Sequence, residues 1–182
     1  RCVAYIGSRD ASPYGLEMAH YFADALVDRG CVVVSGLARG IDSAAAEEVL
    51  LKRGKTVAVL GSGIDCPFPL SSKDLYRRIK TDGLIISEYP NNTPPSPSQF
   101  PFRNRIIAGV SSLVVVGEAA SRSGTLITVG YALSSGAEVA CVPSKAGIGS
   151  ACNSLIREGA HLLDEDKDLD AFIFRAENRL QE

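Results

Sequence analysis

Cys31-Val32-Val33-Val34-Ser35-Gly36-Leu37-Ala38-Arg39-Gly40-Ile41-Asp42 is the stretch of this 182-residue chain on which the fold turns. Its first four residues are apolar without a polar interruption, the pattern of a strand whose two faces are both covered by helices. Gly36, Ala38 and Gly40 then alternate with larger residues, and a helical pattern over 41–52 follows, stopped by Gly54. Glycine loses much backbone freedom on folding, so a loop this rich in small residues points to a close approach of the backbone rather than a plain link. Strand, glycine loop and helix in that order make half of a βαβ unit.

The same unit recurs outward from this stretch in both directions. Apolar runs at 3–6, 56–60, 84–86, 113–116 and 138–142 alternate with segments of helical period. The first helix carries Leu16, Ala19, Ala23 and Leu26 on one face and closes at Arg29-Gly30. A third begins at Ser71 with Asp74 three residues on, a capping-box variant, and others are expected over 103–109, 125–134, 152–158 and 169–179. Right-handed crossovers between such strands predict an α/β fold: one extended Rossmann-like domain over 1–182, a doubly wound, mostly parallel sheet with helices on both faces. Residues 89–101, with Pro90, Pro94, Pro95, Pro97 and Pro101, read as an extended loop.

A composition of 46% hydrophobic and 22% charged residues suits a single core. The formal net charge of -2 rules out diffuse capture of a polyanion, so any nucleic-acid contact has to come from a local cluster of cations. Five cysteines without a CxxC pair read as reduced thiols of a cytoplasmic protein. No apolar run approaches the ~20 residues of a membrane span. No Cys/His spacing suggests a metal, and no GxGxxG follows the first strand, so no metal, dinucleotide or other cofactor is expected. The chain lacks an initiating Met and starts directly on a strand, which suggests an excised domain.

In an open α/β sheet ligands bind beyond the carboxyl ends of the strands. The residues there are Gly7-Ser8-Arg9, the loop 35–42, Gly61-Ser62-Gly63-Ile64-Asp65, and Ser121-Arg122-Ser123-Gly124-Thr125 opening a helix. Glycine backbones and helix N-termini together describe an anion pocket. Its phosphate-binding candidates are Gly7, Ser8, Arg9, Ser35, Gly36, Ala38, Arg39, Gly40, Ser123, Gly124 and Thr125. In Phe100-Pro101-Phe102-Arg103-Asn104-Arg105, the guanidinium groups of Arg103 and Arg105 flank Asn104 and can hold phosphates, while Phe100 and Phe102 can stack on unpaired bases. The bland alternative is that the two phenylalanines staple the loop to the core and one arginine pairs with Glu88 or Glu118. Arg9, Arg39, Arg103, Arg105 and Arg122 gathered at one rim favour the anion site.

These motifs, taken in order, resemble those of the DprA/Smf DNA-processing family. The likeness rests on Gly7-Ser8-Arg9, residues 34–42, residues 58–65, Ile86-Ser87-Glu88-Tyr89-Pro90, residues 100–109 and Ser123-Gly124-Thr125-Leu126-Ile127-Thr128. Val142-Pro143-Ser144-Lys145 and residues 149–160 continue it, adding Lys145 to the site. The resemblance implies single-stranded DNA binding, a homodimer, and help in loading a RecA-type recombinase during DNA uptake, with no catalytic residue. The family's flanking helical and winged-helix domains are expected to be absent from this sequence, Cys66-Pro67-Phe68-Pro69 alters the usual aromatic-proline step, and Ser144 replaces a usual Gly. The competing readings are a nucleotide sensor and a phosphoribohydrolase-like enzyme on the same glycine loops; Thr128 stands where such an enzyme carries a glutamate.

Overall fold

Val3, Ala4, Tyr5 and Ile6 are all buried, and this run forms the central strand β1 (Cys2–Gly7). The structure, a computed structural model, describes residues 1–179; positions 180–182 of the expected domain lie outside the described residues. On one side of β1 lie β2 (Val32–Ser35), β3 (Lys55–Leu60) and β4 (Leu84–Ser87). On the other lie β5 (Leu113–Glu118), β6 (Glu138–Cys141) and β7 (His161–Leu162). The order is β4-β3-β2-β1-β5-β6-β7 and every pair is parallel.

Helices α1 (Pro13–Asp28), α2 (Ile41–Leu51) and α3 (Lys73–Asp82) cover one face. Helices α4 (Gln99–Gly109), α5 (Thr125–Ser134) and α6 (Ala151–Arg157) cover the other, and α7 (Asp168–Arg179) returns to the first, burying Leu169 and Ile173 there. With both faces covered the strands are apolar on both, which is why their sequences run unbroken. The chain reverses its direction of winding between β1 and β5. Connections diverge there, and a crevice opens beyond the carboxyl ends of these two strands. Among the described residues no helix is long and apolar enough to cross a membrane.

Two local expectations change. Helix α4 starts at Gln99 rather than Arg103, which puts Phe100, Pro101 and Phe102 in its first turn instead of in the loop. Proline is tolerated there because first-turn amides have no intrahelical acceptor in any case. The Ser71/Asp74 capping box does not form: a 3-10 turn at Leu70–Ser72 runs straight into α3, whose N-cap, Ser72, makes no side-chain cap. Its hydroxyl faces that of Ser43, 3.4 Å away. Side-chain caps form instead at Ser12, whose Oγ accepts from Gly15 N–H, and at Ser150, whose Oγ accepts from Cys152 N–H.

Candidate functional site

The crevice between β1 and β5 is a cleft of about 650 Å³. Gly7, Ser8, Arg9 and Asp10 line it from β1, Ala120, Arg122, Ser123, Gly124 and Thr125 from β5, and Phe100, Arg103 and Asn104 from α4. A smaller cleft of about 240 Å³ adjoins it, bounded by Gly36, Ala38, Arg39, Phe68, Pro69, Ser71 and Phe100, and the two share Arg9 and Arg103.

The glycine loops already hold an anion of the protein's own. Asp42, in the first turn of α2, is buried, and its carboxylate accepts the N–H groups of Gly36 at 2.8 Å and Gly7 at 3.3 Å. Burial raises its pKa, against the opposing pull of those amides and of the Arg103 charge. Arg103, only 4% exposed, donates from Nη1 to the carbonyl of Gly36 at 3.0 Å and to that of Val59. Burial lowers its pKa to about 10, with Asp42 acting the other way. A Cβ on Gly36 would lie 2.6 Å from Arg103 Nη2, and one on Gly40, at φ +80°, would lie 2.3 Å from the Ser8 carbonyl oxygen.

The small residues of this loop therefore make room for Arg103 and for the β1 loop. Where Gly36, Gly40 and Arg103 were expected to meet an outside phosphate, the structure places the protein's own Asp42, Ser8 and main-chain carbonyls against them. Ser35 is likewise fully buried, with no hydrogen-bond partner for its hydroxyl among the described residues.

Three further candidates, Arg105, Phe102 and Lys145, line neither cleft, and Arg39 bounds only the smaller one. Arg105 pairs with Glu88 and lies 4.4 Å over the Phe102 ring, and neither lines the cleft. Arg39 pairs with Asp10 at 2.7 Å. Lys145 is exposed on the loop after β6, outside the lining. That loop is anchored by Asn153, whose Oδ1 accepts Ser144 N–H and whose Nδ2 donates to the Ser144 carbonyl, both at 2.9 Å. Among the described residues Glu118 pairs with no arginine: it accepts the N–H of Ser12 at 3.0 Å and also the Ser12 hydroxyl.

Arg9 and Arg122 remain as cations of the cleft that have no carboxylate partner among the described residues. Beside them Ser8, Ser123, Gly124 and Thr125 line the wall. At the opening of α5, Ser123 Oγ accepts the Thr125 N–H at 3.1 Å, and a Cβ on Gly124 would meet nothing within 4 Å. This helix start borders the cleft with its first-turn amides already donating, Leu126 N–H to the Ser123 carbonyl and Ile127 N–H to the Gly124 carbonyl, each at 3.1 Å, while at the start of α2 Ile41 N–H donates to the Ser8 carbonyl at 3.1 Å. Sequence reasoning assigned no role to Phe68 or Asp10, both of which line the cleft. For Phe68 the available signal was Pro67-Phe68-Pro69 directly after a strand-end glycine turn.

The fold and site together define a doubly wound Rossmann-like domain with an arginine-flanked cleft at its switch point. The family model for DNA recombination-mediator protein A matches residues 1–173, and the chain belongs to that family. It is 41% identical to DNA processing protein DprA of Streptococcus pneumoniae over 169 residues, covering 92% of this chain and 60% of that protein. It is 40% identical to protein Smf of Synechocystis, covering 92% and 42%. The chain thus spans about half the length of the curated relatives it matches.

Among solved structures, DprA from Streptococcus pneumoniae superposes with a TM-score of 0.86 at 38% identity over 94% of this chain and 60% of that one. DprA from Helicobacter pylori, whose structure concerns its single-stranded DNA binding mode, gives 0.88 at 27% over 96% and 80%. A molybdenum cofactor binding protein from Rippkaea orientalis, at 0.70 and 17% identity, shares the fold alone.

Proposed function

We propose that this chain binds single-stranded DNA in the switch-point cleft, acts without catalysis, and serves recombination by handing the strand to a RecA-type recombinase. The observation that carries the reading is the meeting, in one cleft, of Arg9, Arg122 and the Ser123-Gly124-Thr125 start of α5 with the ring of Phe100. Guanidinium groups suit phosphates, the positive end of a helix favours an anion beside it, and aromatic rings suit bases that are not paired. The Helicobacter pylori relative supports the choice of single strands. Of the carboxylates lining the cleft, Asp42 is held by two amides and Asp10 by Arg39, and Thr128 supplies none. That supports a binding role over nucleotide cleavage.

Fluorescence anisotropy with a labelled poly(dT) strand, the matching duplex, and a nucleoside monophosphate as competitor tests the reading. The single strand is expected to bind more tightly than the duplex, with weak competition by the monophosphate. Equal or tighter binding to duplex overturns it. If the monophosphate binds tightly, protects the fold in a thermal melt and displaces nothing, the cleft is a small-molecule site.

A further inference from the structure

We infer that Phe68 is the platform on which one unpaired base of the bound strand stacks, an inference that rests on the proposed reading of the cleft. Phe68 and Phe100 stack with ring centroids 5.4 Å apart and planes inclined by 28°. Phe100 is the inner, half-buried member of the pair. A Cβ on Gly61 would lie 2.8 Å from its Cδ1, so that glycine lets the ring seat against the backbone, and the Arg9 guanidinium lies 5.6 Å from its centroid. Phe68 is the outer member of the pair and is 41% exposed.

An exposed phenylalanine leaves apolar area in water that a planar ligand can cover. The segment that presents it is pinned: Ser62 Oγ donates to the Cys66 carbonyl at 2.6 Å, and the Tyr76 hydroxyl donates to the Ile64 carbonyl at 2.6 Å. A platform held in place before binding loses little freedom when a base lands on it. Arg9, Phe68 and Phe100 line both clefts, so a strand with a phosphate against Arg9 has a base beside the ring pair. Phe102, also exposed, makes a natural control: Arg105 covers it, and Glu88 pairs that arginine.

The chain contains no tryptophan, so Phe68→Trp installs a single reporter. Anisotropy of a labelled poly(dT) strand is measured with the unsubstituted chain, Phe68→Ala, Phe68→Trp and Phe102→Ala, and Phe68→Trp emission is followed with poly(dT) and with a wholly abasic strand of equal length. Phe68→Ala is expected to weaken binding about 5- to 100-fold at an unchanged salt slope, the range for loss of one stacked base. Phe102→Ala is expected to bind like the unsubstituted chain. Phe68→Trp is expected to retain affinity, with emission quenched by poly(dT) and not by the abasic strand.

If the unsubstituted chain binds poly(dT) and Phe68→Ala, folded by thermal melt, binds it equally, the inference falls while the proposed function stands. Equal quenching by both strands overturns it too, and decides alone if Phe68→Ala fails to fold. If the unsubstituted chain binds no strand, the proposed function falls and takes the inference with it.

Discussion

Arg103 and Arg105 are two residues apart on α4, yet one points into the protein and the other along its surface. Arg103 donates to two buried carbonyls and its charge favours the buried Asp42 carboxylate, so Arg103→Met leaves those carbonyls without their donor and removes that charge. We expect a loss of about 1–3 kcal/mol in urea unfolding, the range for leaving buried acceptors without their donor; a smaller loss would show that the carbonyls of Gly36 and Val59 find other partners and that the amides of Gly7 and Gly36 suffice for Asp42. Arg9 and Arg122 face the cleft without carboxylate partners among the described residues. Arg9→Glu and Arg122→Glu should each weaken single-strand binding by about 1–3 kcal/mol and reduce the salt slope by roughly one contact. Arg105→Ala, which removes a charge already paired with Glu88, should change affinity little, and anisotropy across a salt series separates the cases.

Two helices open at the same edge of the sheet, and their first turns differ in what they meet. Helix α2 is sealed against the β1 loop, with Gly40 at φ +80° and ψ -128°, a region essentially reserved for glycine. Gly40→Ala should therefore cost about 1–3 kcal/mol of stability by backbone strain alone, before its contact with the Ser8 carbonyl is counted. Helix α5 opens on Gly124 at φ -58° with free space around it, so Gly124→Val should fold with stability changed by only about 0.5 kcal/mol. Its β-branched side chain stands between the helix start and a ligand. Binding should fall at every salt concentration with the slope unchanged, and urea melts together with anisotropy distinguish this from a folding defect.

With a net charge of -2 the whole molecule repels a polyanion at long range, so affinity depends on few contacts. With Arg9 and Arg122 each neutralising one phosphate, the salt slope should be roughly -1.4, at about -0.7 per contact. The core makes the protein sensitive to alkali. Burial raises the pKa of Tyr5, whose hydroxyl donates to the Met18 carbonyl at 3.2 Å, and that of Cys31. Both stay protonated in the folded state while the unfolded chain loses its protons, so their contribution is complete below pH 9 and declines as pH rises through 9 and 10. The unfolding free energy should fall by up to about 1.4 kcal/mol per pH unit per group, and Tyr5→Phe should flatten the upper part of the curve.

A homodimer through the carboxyl-terminal edge is also proposed. Leu162 and Phe174 are exposed there, while Phe172 stacks on His161 at 4.5 Å and Leu163 is buried. Two apolar side chains are left for a partner. Light scattering is expected to give twice the chain mass at tens of micromolar; the single-chain mass would retire the dimer.

Unbroken apolar runs separated by helical periods were enough to read a parallel, doubly wound sheet, because a strand covered on both faces carries that pattern in its own residues. The loops that meet at the switch point were legible for the same reason: topology places every strand's carboxyl end at one edge. What each arginine there does was not legible. Arg9, Arg39, Arg103, Arg105 and Arg122 are chemically alike in sequence, and only packing shows that one is buried, two are paired with Asp10 and Glu88, and two face the cleft. The anion held by Gly7 and Gly36 belongs to Asp42, and no local pattern could tell an internal carboxylate from an external phosphate. Phe68 met Phe100 only on folding, across 32 positions of chain, because ring contacts depend on where helices and turns converge rather than on spacing along the sequence.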